Sequence, residues 1–134
     1  PVNMERPDKL LIVSITPYFL EKEGVWYAEN LEEILRAQKT QSFFQDNTEY
    51  ITKGQNLNLS QFLRKLDEMG YERVFTVSDP GEFSQRGGII DLFPVNLTSA
   101  VRLAARARWR FRSFTPAATR SASRIVAKST SGCC

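Results

Sequence analysis

The chain has 134 residues, 42% of them hydrophobic, with 18 basic and 15 acidic side chains and a formal net charge of +3. That is enough apolar material for the core of one domain and too short a chain to hold a motor. No run approaches the roughly eighteen apolar residues of a membrane span and no charged-then-apolar leader opens the chain, so a cytoplasmic protein without a membrane partner is expected. The two cysteines, Cys133 and Cys134, are adjacent, which suits neither a disulfide framework nor a zinc site, and there is no histidine for base catalysis or ligation. No metal or cofactor is therefore expected.

Leu10 to Ile15 is an apolar, β-branched strand candidate. Thr16 as N-cap and Pro17 at the first helical position start a short helix to about Lys22, which Gly24 ends. Val25 to Ala28 is read as a brief strand or a connection. Asn30, with Glu33 three residues on, makes a capping-box pattern for a helix through about Lys39, with Leu31, Ile34 and Leu35 on one side. Phe43-Phe44 and Tyr50-Ile51-Thr52 read as extended segments separated by a polar turn at Gln45-Asp46-Asn47.

A second capping pattern, Asn58 with Gln61, opens a helix in which Leu59, Phe62, Leu63, Leu66 and Met69 form one apolar stripe. Gly70 is its C-terminal stop. Tyr71 to Ser78 is expected as a strand that the Pro80 turn reverses, with Gly88 to Phe93 pairing back. Between them Gly87 and Gly88 let the backbone bend after Arg86, and Ile89, Ile90, Leu92 and Phe93 make an almost continuous apolar run that Pro94 ends.

The charges are unevenly spread. All 15 acidic residues fall within residues 1–91, whereas residues 92–134 hold eight basic residues and no acid. Arg102, Arg106, Arg108, Arg110 and Arg112 fall at nearly every second position beside Trp109 and Phe111, a spacing that would line one face of a strand and suit phosphates and bases. The same composition also fits a low-complexity tail.

The run Pro80 to Pro94, with Gly70 to Val74 and the helix before it, closely resembles the bacterial transcription-repair coupling factor, in the N-terminal module that this family shares with the excinuclease component UvrB. The likeness is faint at Leu10 to Val13, strong from about Tyr50 and ends near Leu103. It implies an α+β fold, a small antiparallel sheet with a packed helix like the second domain of excinuclease UvrB, preceded by a short β-α segment. It divides the chain into residues 1–41, the end of a degenerate ATPase-like domain; 42–103, an interaction module for excinuclease UvrA, the damage-recognition ATPase; and 104–134, a basic tail. After Leu103 the family pattern of acidic and aromatic residues is absent, so the hypothesis for that tail is a frameshifted or otherwise aberrant terminus, in which case the sheet is expected to lack its closing hairpin.

The resemblance also implies the site. Arg86 and Arg102 match the family arginines that contact excinuclease UvrA, and they are expected on neighbouring strands with their guanidinium groups on one exposed face. A third family contact, an aromatic residue four positions beyond the second arginine, is replaced by Arg106. From the residues alone, Arg86 neutralising Glu82 or Asp79 is the alternative. Catalysis has little support: there is no phosphate-cradling loop, Ser84 has no histidine to activate it, and Asp67, Glu68, Glu72 and Asp79 make no carboxylate pair. The motor of the parent family and its RNA polymerase contact would lie in parts this chain lacks. The expected function is a non-catalytic recruiter of excinuclease UvrA in nucleotide excision repair. The alternatives are a nucleic-acid-binding domain using the basic tail as its DNA partner site, or an aberrant product that does not fold.

Overall fold

Leu10, Leu11, Ile12 and Val13 are all buried, so the strand they form has no polar face and must be covered on both sides. In the computed structural model, which describes residues 9–106 and 108–114, this strand is β1 (Lys9–Val13), paired antiparallel with β2 (Thr48–Thr52). Leu10 and Ile12 face one core, with Ile51, and Leu11 and Val13 face a second.

Three helices close the second core: α1 (Pro17–Leu20), α2 (Gly24–Thr40) and α3 (Ser42–Asn47). Phe19, Tyr27 and Ile34 are its buried residues besides those of β1, and Trp26, Leu31, Leu35 and Phe44 pack around them. The first core is closed by α4 (Leu59–Glu68), which contributes Phe62 and Leu66, with Met69 just beyond it. Opposite lies a five-stranded sheet in the order β3 (Glu72–Arg73), β4 (Glu82–Arg86), β5 (Ile89–Leu92), β6 (Ala100–Arg106) and β7 (Arg108–Phe114). The expected α+β class, a small sheet carrying a packed helix, is observed.

The helix α4 matches its sequence pattern: Asn58 Oδ1 accepts a hydrogen bond from the Gln61 amide at 3.1 Å, and Gly70 ends the helix at φ 88°. The stretch before it departs from expectation. Gly24 begins α2 instead of ending a helix, Val25 to Ala28 is its first turn, and Asn30 is internal to it, donating from Nδ2 to the Trp26 carbonyl at 2.9 Å. Phe43-Phe44 and the polar Gln45-Asp46-Asn47 are helical, not extended, because the two rings pack edge-on to Tyr18 and onto Phe19 while Asn47 bonds back to the Phe43 carbonyl. Thr16 occupies the N-cap position of α1 but its hydroxyl makes no cap bond.

The segment Tyr71 to Ser78 also differs. Only Glu72 and Arg73 are strand, and they pair in parallel with Glu82 and Phe83, not with the Gly88 to Phe93 run. The chain leaves the sheet at Val74 and returns through Pro80 and Gly81, where Gly81 takes φ 90°. The hairpin is formed instead by β4 and β5 around Gly87-Gly88, with Gly87 at φ 59° in the first central position, where a type II′ turn requires glycine. Past Leu103 the sheet continues: β6 and β7 pair from Ala100↔Phe114 to Arg106↔Arg108, giving the sheet a final hairpin where the sequence suggested that none would form. The rest of the expected tail, residues 115–134, lies outside the described residues.

Side chains tie the two cores together at the free edge of β1. The Tyr71 hydroxyl donates to the Val13 carbonyl at 2.7 Å, Ser14 Oγ to the Met69 carbonyl at 2.8 Å, and Asn96 Nδ2 to the Leu11 carbonyl at 3.1 Å. Burial raises the pKa of Tyr71 well above its ordinary 10.0, and burial with the neighbouring Tyr18 pushes Tyr27 up to about 12.

Tyr71→Phe should destabilise the fold by about 1–3 kcal/mol at neutral pH, since it orphans the Val13 carbonyl. Because the folded-state pKa values of Tyr71 and Tyr27 exceed the unfolded 10.0, their contribution is complete below pH 10 and lost as pH rises beyond it. Denaturant titrations between pH 8 and 12 should therefore show stability falling above pH 10, with Tyr71→Phe removing up to about 1.4 kcal/mol per pH unit from that slope. Gly70→Ala should cost at least about 1–2 kcal/mol in the same assay, because it forces a left-handed φ of 88° on alanine and sets Cβ 2.9 Å from Ile15 Cγ1.

Candidate partner-binding face

Side chains alternate across a strand, so the register of β4, β5 and β6 sorts them into two faces. Phe83, Leu92 and Val101 lie in one cross-strand row and Ile90 with Leu103 in another, and all five enter the core shared with α4. The intervening rows, Ser84–Asp91–Arg102 and Arg86–Ile89–Ala104, belong to the opposite face. Arg86 and Arg102 are thus on one face, as expected. They are not on neighbouring strands, however: the glycine turn after Arg86 sends the chain straight back as β5, which lies between β4 and β6. Strand spacing and rise put their Cα atoms roughly 12 Å apart.

Arg102 is fixed by a fork-to-fork contact. Its Nε donates to Asp91 Oδ1 at 2.6 Å and its Nη2 to Asp91 Oδ2 at 2.8 Å. The Asp91 side chain is 7% exposed and that of Arg102 is 44% exposed, so the carboxylate is buried beneath a guanidinium that still reaches solvent. Hydrogen bonding to Asp91 raises the pKa of Arg102 further, and the charge is permanent. Asp91 was legible only as part of an apolar run. Its burial follows from its position opposite Ser84 and Arg102 on the central strand.

Arg86 is exposed at the end of β4. Its Nη2 donates to the Phe75 carbonyl at 3.2 Å and its Cζ stands 5.4 Å from the centre of the Phe75 ring. The alternative of an arginine neutralising Glu82 or Asp79 is not what the structure shows, because the Glu82 carboxylate instead accepts from the amides of Ser78 at 2.7 Å and Asp79 at 2.9 Å. Ser84 is buried, and its hydroxyl donates to the Phe75 carbonyl at 3.1 Å, a structural use that leaves it far from a nucleophile's setting.

Two residues of this face were missed in the sequence. Phe75 is 88% exposed and Ile89 is 40% exposed. Phe75 sat inside a run read as strand, and nothing in the sequence marks Val74 as the point where the chain departs from the sheet. The arginine series is also rearranged: Arg102 and Arg106 lie on β6 and Arg108, Arg110 and Arg112 on β7, with Arg102↔Arg112 and Arg106↔Arg108 as Cα partners, so the arginines are spread over a hairpin and not along one strand. Among the described residues no three acidic or cysteine side chains cluster to hold a metal, and no helix is long and apolar enough to cross a membrane. Of the acidic residues considered for catalysis, Glu68 faces Arg64 at 3.4 Å on the wet side of α4.

Residues 50–109, from β2 into the start of β7, match the UvrB interaction domain family. The transcription-repair-coupling factor of Staphylococcus aureus (strain USA300) is 57% identical over 42 residues, 31% of this chain and 4% of the relative. That of Bacillus subtilis (strain 168) is 47% identical over 53 residues, 40% of this chain and again 4% of the relative. The match therefore spans only a small part of these much longer proteins. The outward arginines of β4 and β6, with α4 and strands β3 to β6, fall inside this segment, which is similar to the UvrB interaction domain and to the matching part of the bacterial transcription-repair-coupling factors.

Proposed function

We propose that the chain is a non-catalytic recruitment module that binds excinuclease UvrA through the face bearing Arg86 and Arg102, in transcription-coupled nucleotide excision repair. The observation that carries this reading is the arrangement of two guanidinium groups on the solvent side of a sheet whose other side is core. Such a face is rigid before a partner arrives, so little ordering entropy opposes binding. Each arginine is steered by a fixed acceptor, Asp91 for one and the Phe75 carbonyl for the other. Guanidinium forks pair with partner carboxylates in bidentate, charge-assisted contacts, and arginine is enriched at interface hot spots. Movement along DNA and contact with RNA polymerase would belong to other parts of such a factor.

Arg86→Ala should weaken binding to purified excinuclease UvrA by at least about 30-fold, the equivalent of about 2 kcal/mol, with at most a small drop in melting temperature from the lost bond to the Phe75 carbonyl. Arg102→Ala should weaken binding similarly and also lower the melting temperature, because it strands the buried Asp91 carboxylate. Pairing it with Asp91→Asn should recover the melting temperature and not the affinity. Wild-type affinity in both arginine variants would overturn the reading.

A further inference from the structure

We propose that Phe75, lying against Arg86, is an aromatic anchor of the same face and fills an apolar pocket bordered by carboxylates on the partner protein. This rests on the partner-binding reading above and adds a residue and a partner chemistry to it. An exposed apolar side chain is by itself ordinary, and Phe75 is set apart by how firmly the backbone beneath it is held. Its carbonyl accepts from both Ser84 Oγ and Arg86 Nη2 on β4. The amide of Val74, just before it, donates to the Phe83 carbonyl at 2.8 Å, and Val77, two residues after it, is 2% exposed. The amides of Ser78 and Asp79 are clamped by Glu82.

The loop is thus fastened on both sides of a ring that is 88% exposed, the highest value among the described large hydrophobic residues. A ring held out on an anchored backbone loses little freedom when it is buried at an interface. Arg86 adds a fixed positive charge over the ring, and Ile89, its cross-strand partner at 40% exposure, widens the apolar surface beside it. A phenyl ring edged by a guanidinium is complementary to an apolar pocket with carboxylates at its rim. A nucleic acid is less well suited to this face. Base stacking on Phe75 would need phosphates nearby to be neutralised, yet the charge of Arg102 is already met by Asp91.

Titrations of the wild-type chain and of Phe75→Ala, Phe75→Leu and Arg86→Ala against excinuclease UvrA, and against a single-stranded DNA oligonucleotide, test this. The expected result is at least about a 30-fold loss of affinity for Phe75→Ala, a smaller loss for Phe75→Leu and unchanged melting temperatures. If Phe75→Ala binds within about twofold of wild type while Arg86→Ala is weakened, the anchor is wrong and the arginine face stands. If Arg86→Ala also binds like wild type, or the wild-type chain does not bind UvrA, both readings fall. Tight binding of the oligonucleotide that Phe75→Ala abolishes would overturn the pocket in favour of base stacking.

Discussion

Everything in this fold depends on β1 being apolar on both faces. A strand with Leu10 and Ile12 on one side and Leu11 and Val13 on the other cannot sit at a surface, and pairing with β2 satisfies only one of its edges. The three N-terminal helices cover one side. The helix α4 and the five-stranded sheet cover the other. Its remaining edge is closed by Tyr71 and Asn96, whose side chains take the carbonyls of Val13 and Leu11. With its inner face committed to this core, the five-stranded sheet can offer a partner only its outer face, where the arginines are.

That outer face is organised by polar groups that would be costly to leave unpaired. Asp91 is buried in the central strand and holds Arg102 by two hydrogen bonds, which orient the guanidinium. Ser84 and Arg86 converge on one carbonyl, that of Phe75, and so fasten the loop to β4. The contacts that stabilise the fold and those that aim the candidate binding groups are therefore the same contacts. Substitutions here will mix stability with affinity unless the two are measured separately.

The legible parts of the fold were those where local chemistry and tertiary structure agree. Asn58, the stripe from Leu59 to Met69 and Gly70 each have one reading, and the helix they specify is present. The glycine pair after Arg86 was legible as a bend, but the reversal expected at Pro80 takes place at this pair, between β4 and β5. Misreadings arose where a local signal was outvoted by packing. Asn30-x-x-Glu33 looks like a helix start, but Tyr27, Leu31, Ile34 and Leu35 already fall at helical spacing from one turn earlier, and their burial against β1 extends α2 back to Gly24. The β-branched run after Tyr71 looks like a long strand, but Glu82 draws the chain off the sheet by binding the Ser78 and Asp79 amides. Of the candidate site, Arg86 and Arg102 were visible only through family likeness. Phe75, Asp91 and Ile89 depend on strand order and register, which no local pattern contains.

The most direct test of the central claim is amide hydrogen exchange of the chain with and without excinuclease UvrA. Binding at the outer sheet face predicts slowed exchange in the loop from Val74 to Gly81 and at the Gly87-Gly88 turn, with α2 unchanged. Protection confined to α2 and α3, with that loop exchanging as it does in the free chain, would contradict the account.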